Sequence, residues 1–238
     1  MNIGSGITIG SGIQIVPDSP AYPTPTLYLD AIAYSGSGST WTANTGSNAT
    51  LYNTPTYTLA SPTYFNFAPA SSEYATVPDL GNLSTWTVEC WVRVKSSLTG
   101  VVSSVVTNQY NGASSLNFSI GTNNSPSSYN LVVGFFNGAW RNTTGFAPTL
   151  NTWYHCIGTY DGTTVKQYVN GSLNSSLSYT GSSQSGNKSV RIARRWDDTL
   201  SSSNLFPGDI GLVRIYNRAL TDTEVTQNWT ANRTRFGL

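Results

Sequence analysis

Eleven acidic side chains are all the carboxylate chemistry available to this 238-residue sequence. Cleaving a glycosidic bond with retention needs two carboxyl groups about 5–5.5 Å apart, and alternate residues of one strand, which share a face, supply that spacing most directly. Asp222 and Glu224 are the one acidic pair spaced i, i+2. They stand where a helix should begin, so capping and the helix dipole account for them. His155 is the only histidine, which excludes a two-histidine metal centre and leaves any Ser/His/Asp triad resting on a single residue. It sits inside the strand-like run TWYHC, where a structural role is the expectation. Neither a metal ion nor a cofactor is expected.

Sugar recognition is the other chemistry within reach. It requires an exposed ring on which C–H faces stack, with planar polar groups beside it. Two loops qualify. FFNGAWRNTTG puts Trp140 and Arg141 just past Asn137-Gly138, and RIARRWDDTLSSSN puts Trp196 beside Arg194, Arg195, Asp197 and Asp198. Tyr110, in Tyr110-Asn111-Gly112, is a weaker third candidate. The competing reading of each tryptophan is a rim ring packed under its own loop, and that of the Arg/Asp cluster is a solvated ion-pair network. Trp86, Trp91, Trp153 and Trp229 fall on strand or helix patterns and read as core.

Charged residues make up 10% of the chain, against about 25% in an average globular protein. With a net charge of +1 there is no long-range field to draw in phosphate backbones or acidic bilayers, so neither nucleic acid nor membrane insertion is expected. The first residues, MNIGSGITIGSGIQIVP, carry no basic stretch followed by an apolar run, so synthesis in a cytoplasm without a signal peptide is the expectation. In that setting the Asn-x-Ser/Thr triplets at Asn48, Asn82, Asn142 and Asn174 are a by-product of composition. Cys90 and Cys156, both in strand-like runs, are expected to be buried free thiols, with a disulfide as the alternative.

The elements that must position these residues are mostly short strands. Residues 1–25 read as an extended arm: IGSGIT is followed by IGSGIQ, and Ile3, Ile7, Ile9, Ile13 and Ile15 alternate with Gly-Ser pairs before a proline-rich spacer. Such a segment either stays disordered or orders by pairing with another chain. Residues 26–238 read as one β-rich domain. In TWTVECWVRVK, Val88, Cys90, Val92 and Val94 share one face and Thr87, Glu89, Trp91 and Arg93 the other. Asp161-Gly162 and Asn170-Gly171 are two-residue hairpin turns that predict a three-stranded meander over 152–178. Ile210, Leu212, Arg214 and Tyr216 alternate with Gly211, Val213 and Ile215 in a late strand. Thr221 and Glu224 then form a capping box, with Leu220 and Val225 as its hydrophobic staple, opening a short helix. Strands at this spacing, with helix only at the end, predict an all-β, two-sheet antiparallel sandwich.

The ordered landmarks YSGSGSTW, FNFAPASSEYATVP, TVECWVRV, TWYHCIGTYDGTTVKQYVNGSL and GDIGLVRIYNRALT resemble laminin G-like jelly rolls of the concanavalin A-like lectin/glucanase superfamily. The resemblance implies a jelly roll in which a strand histidine is structural. Glucanases of that superfamily carry an E-x-D-x-E-like motif, absent here, so a glycan hydrolase is only a remote alternative. Relatives with a rim calcium ion often have an acid where this chain has Gly211. Domains with the SGSGSTW opening resemble parts of bacteriophage virion proteins. The resemblance therefore implies a non-enzymatic virion component, a capsid decoration or tail appendage displayed at the virion surface, whose residues 1–25 grip other virion proteins and which forms a homo-oligomer, a trimer by expectation. The alternative is an adhesion module that binds host surface carbohydrate through Trp140, Arg141, Arg195, Trp196, Asp197, Asp198 or Tyr110.

Overall fold

A computed structural model describes residues 8–9, 13–14, 22–98, 102–108, 115–122, 130–181, 183, 188–195 and 201–238. Two short strands open it, β1 (Thr8–Ile9) and β2 (Ile13–Gln14), whose backbones pair only with each other, Ile9 in register with Ile13. Ile3, Ile7 and Ile15 lie outside the described residues. Then come β3 (Leu27–Asp30), β4 (Thr40–Trp41), β5 (Ala43–Thr45), β6 (Ala49–Tyr52), β7 (Thr56–Thr58), β8 (Tyr64–Phe67) and β9 (Tyr74–Val77). The middle of the chain supplies β10 (Trp86–Val94), β11 (Ser104–Asn108), β12 (Ser115–Thr122), β13 (Leu131–Asn137) and β14 (Trp140–Asn142). The expected meander is present as β15 (Trp153–Tyr160), β16 (Thr164–Val169) and β17 (Ser172–Ser178). After it lie β18 (Val190–Ile192), β19 (Gly208–Tyr216) and the helix α1 (Asp222–Asn232).

Strands β3–β19 form two antiparallel sheets, as the sequence predicts. One runs β17-β16-β15-β10-β19-β3-β5, with β8 also on β19 and β7 on β8; the other runs β14-β13-β12-β11-β18-β9-β6-β4. The main core lies between them. Val88, Cys90, Val92 and Val94 of β10 point into it, against Val105, Val106, Phe118 and Ile120. Cys90 and Cys156 sit opposite each other in the β10–β15 register, both buried and unbonded.

The far face of the first sheet is buried over β10, β15 and β19, where the C-terminal helix folds over it. Trp91, Trp153, Leu212 and Phe236 pack together there, with Trp229 half-buried beside them. The capping box forms as expected, Thr221 accepting from the Glu224 amide while Glu224 returns to the Thr221 amide. The staple residues Leu220 and Val225 are buried with Ile157, Tyr168 and Tyr216, which fixes α1 against β15, β16 and β19.

One alternation differs from the sequence reading. The register of β19 on β10 shifts between Trp91 and Val92, pairing Trp91 with Leu212 and Val92 with Ile210 and leaving Gly211 as the extra residue of a bulge. Ile210 therefore joins the inner core with Val213 and Ile215, while Leu212 lies under Phe236 on the helix side.

Candidate functional site

The register of the second sheet decides which predicted residues can act together. Asn137 pairs with Ser115 and Asn108 with Val190, so the 137–140 turn and the ends of β11 and β12 share one end of the sandwich. Gly121 pairs with Ser104, Thr122 with Leu131, and Tyr52 with Tyr74, which define the opposite end. Arg194 bridges to Leu205 there. Trp140 and Arg141 thus stand at one end and Arg195 at the other, too far apart for a single site. Tyr110, Trp196, Asp197 and Asp198 lie outside the described residues.

At the first end the hairpin β13–β14 turns through Gly138, at φ +93°, and delivers Trp140 to the surface, 39% exposed. The edge of the Trp140 ring meets Phe136 at 5.3 Å. Arg141 turns away from it. Its guanidinium lies 4.4 Å above the Tyr179 ring, and its Nε lies 3.4 Å from the Asn137 Oδ1 it donates to. Asn137 Nδ2 in turn donates to the Tyr179 hydroxyl at 2.5 Å.

The other end carries an aromatic platform that the sequence reading missed. Tyr52 of β6 and Tyr74 of β9 are cross-strand partners whose rings stack 4.5 Å apart at 8°. The Arg194 guanidinium lies 4.6 Å over Tyr74. A ring has two faces; Tyr52 and the Arg194 guanidinium both lie against Tyr74, and Tyr52, 39% exposed as a residue, is the ring the stack presents. The turns at its ends are tied together, Asn53 Nδ2 donating to the Ser72 carbonyl at 2.8 Å. Arg195, the one described member of the second predicted cluster, is held beside this stack by Asn204, its amide donating to the Asn204 carbonyl at 2.8 Å. Each tyrosine follows or precedes an inward residue, Leu51 or Ala75. Either one alone reads as an ordinary outward strand residue, and only the long-range register makes them a pair.

The described acids are committed elsewhere. Glu89, wholly buried, accepts from Asn228 Nδ2 at 2.7 Å, Arg214 Nη1 at 3.0 Å, His155 Nε2 at 3.1 Å and the Tyr216 hydroxyl at 3.3 Å. Burial opposes its ionisation, but the Arg214 charge and the hydrogen bonds from His155 and Asn228 outweigh that and hold the carboxyl at about 2. His155 is equally buried, its ring stacked on Trp91 at 4.8 Å, so it is a wall of the fold with no route to a substrate. Asp30 clasps Arg235 through two bonds of 2.6 and 2.7 Å. Asp209 holds Arg93 and Asn66, each at 2.6 Å. Asp161 caps its own hairpin turn, and Glu73 accepts the Ala68 amide. Among the described residues no three His, Cys, Asp or Glu side chains converge as metal ligands.

With two sheets, their connections and the C-terminal helix in place, residues 69–226 match the family model described as Concanavalin A-like lectin/glucanases superfamily, Laminin_G_3, over well more than half of the chain. The chain belongs to this superfamily. No curated protein matches it in sequence. Among solved structures, this concanavalin A-like chain is similar to domain 4 of AbnA, a GH43 extracellular arabinanase from Geobacillus stearothermophilus, in complex with arabinotriose. The TM-score is 0.64 at 20% identity, covering 85% of this chain and 97% of that domain. It is also similar to the receptor binding domain of botulinum neurotoxin type G, with TM-score 0.63 and 15% identity over 88% of this chain and 52% of that one. A third is the Trypanosoma rangeli sialidase in complex with the inhibitor DANA, with TM-score 0.62 and 16% identity over 90% of this chain and 34% of that one. The chain spans nearly all of the arabinanase domain but only about half of the toxin domain and a third of the sialidase. At these identities the likeness shows the fold.

Proposed function

We propose that this concanavalin A-like domain is a non-catalytic glycan-binding module, displayed on a virion surface and attached through residues 1–25. The observation that carries the glycan reading is the Tyr52–Tyr74–Arg194 stack, a flat ring face fixed on two strands with polar side chains at its margin. A sugar ring offers the complementary surface, apolar C–H groups on one face and hydroxyls around the rim. Trp140 provides a second exposed ring at the opposite end, so one domain can engage two points of a glycan coat, and several copies gain avidity by multivalent display. The arabinotriose carried by the arabinanase domain and the receptor-binding role of the toxin domain agree with this reading. The eight described acids all hold structural partners, which supports a non-catalytic role. The virion setting is supported by the SGSGSTW opening, the Gly/Ser/Ile arm and a polar surface with few charges.

The test is a glycan array probed with the full-length chain, Tyr52→Ala and Trp140→Ala. Binding that weakens with Tyr52→Ala supports the proposal. Binding to no cell-surface sugar leaves the structural virion role alone and overturns the glycan reading; release of reducing ends from any bound polysaccharide overturns the non-catalytic one.

A further inference from the structure

A sheet edge presents unpaired N–H and C=O groups that will pair with any extended chain, so folded proteins keep their edges short, charged or broken by proline. Four of the five strands that terminate the sheets obey this by length. β14, β4, β5 and β7 have three, two, three and three residues. The fifth does not. β17 runs seven residues, SLNSSLS, with neither a charge nor a proline. One side of it pairs with β16 from Val169↔Ser172 to Thr164↔Ser178, and its other side has no strand partner among the described residues.

Each face of this edge carries one leucine that the sheet leaves incompletely covered. The register shift between Gln167 and Tyr168 places Leu173 opposite Tyr168 on the helix-bearing face, where it stays 52% exposed, while Leu177 faces Val165 and packs half-buried on the main core. One further strand would cover both leucines and satisfy the open backbone groups.

The sequence contains a segment with that chemistry. Ile7-Thr8-Ile9 and Ile13-Gln14-Ile15 are strand-forming runs, and the β1–β2 pair alone is too small to be stable in water. The arm also leaves the domain on the appropriate side. Tyr22 lines a cleft along α1 with Asp222, Thr226 and Thr230, and Asp222 accepts from Tyr168 and Lys166 of β16, the neighbour of β17.

We infer that β17 is an acceptor edge and that its occupant is the residue 7–15 segment of a second copy of this chain, added as an outer antiparallel or parallel strand. Among the described residues the arm pairs only with itself and no strand covers the edge, so the donor is assigned to a neighbour. Arm of one copy on edge of the next is a heterologous contact, and such contacts close into rings when the rotation permits. The inference rests on residues 1–25 being an assembly arm and is independent of glycan binding.

The experiment uses full-length chains. Ile13→Cys and Ser176→Cys are made separately, mixed and oxidised; Cys90 and Cys156 are buried and do not compete. A mixed covalent dimer, together with light scattering that shows an oligomer for the unmodified chain and a monomer for Ser176→Lys, is the expected result. Amide exchange over 172–178 should be at least about tenfold slower in the oligomer than in Ser176→Lys. An unmodified chain that is monomeric, an oligomer that survives Ser176→Lys, or a double variant Ile13→Cys/Ser176→Cys that links only within one chain each overturns the proposal. Ser176→Lys lies far from Tyr52, so the affinity of one domain for a short glycan in solution is the same with or without it, and failure of one idea is distinguishable from failure of the other.

Discussion

Glu89 of β10 and Arg214 of β19 are cross-strand partners on the face that α1 covers, Nη1 to Oε1 at 3.0 Å, and Arg214 also lies 4.3 Å over the ring of Tyr28. The pair links three separate stretches of chain, because Asn228 of α1 closes on the same carboxylate. Removing the carboxylate strands a buried guanidinium. Glu89→Ala is expected to cost about 3–5 kcal/mol in urea unfolding, the usual penalty for breaking a buried charge pair by deleting one partner. Its pH dependence has a definite sign. The folded carboxyl titrates at about 2, below the roughly 4.3 of an unfolded glutamate, so its contribution is present above pH ~4.3 and is lost as pH falls through 2. Unfolding curves at pH 7 and pH 3 should show a loss of stability that is smaller in Glu89→Gln.

What was legible in the sequence was local. Asn170-Gly171 specifies its turn by itself, both residues having positive φ, 52° and 79°, and Thr221 finds Glu224 three residues away. Glu89 was placed correctly on the outward face of β10, but its burial depends on α1, which arrives at the end of the chain. The Tyr52–Tyr74 platform depends on two strands meeting in register, and neither tyrosine carries a local mark of it. Trp140 was legible as an exposed ring because the Asn137-Gly138 turn beside it is local. The loops at 137–141 and 194–198 read as two separate candidates, and the register of the second sheet puts Trp140 and Arg194 at opposite ends.

The bulge at Gly211 makes a packing prediction. A Cβ built there would lie 2.6 Å from Phe236 Cε1 and 2.8 Å from Cζ. The backbone at Gly211 has no positive φ, so Gly211→Ala tests packing alone. It should destabilise by about 1–3 kcal/mol, the range for overfilling a core. Phe236→Leu in the same chain should recover part of the loss, a coupling that a double-mutant cycle in urea measures directly.

Cys90 and Cys156 should be silent in the folded protein. Burial pushes the Cys90 thiol up, and the neighbouring Cys156 and Glu89 push it further. Thiolate is the reactive form, so a thiol reagent at neutral pH should label neither residue until the sheets separate. Labelling with the time course of global unfolding is the expected outcome; rapid reaction of one thiol in native buffer would contradict the packing of β10 on β15.

Stacking gives the last prediction its magnitude. If Tyr52 presents a ring to a sugar, the contact is worth about 0.5–1.5 kcal/mol, and Tyr52→Ala should weaken binding about twofold to twelvefold. Tyr52→Phe keeps the ring and should keep most of the affinity, which separates stacking from a hydrogen bond to the hydroxyl. Tyr74 is the support beneath, so Tyr74→Ala should weaken binding through the tilt of Tyr52 and also cost stability. Trp140→Ala should leave the affinity of a short glycan at the Tyr52 end unchanged, because the two rings occupy opposite ends of the sheet. Isothermal titration with one short oligosaccharide, chosen from the array, reads all four variants on the same scale. Equal affinity across Tyr52→Ala and the unmodified chain would remove the platform from the binding surface and leave Trp140 as the ring to examine.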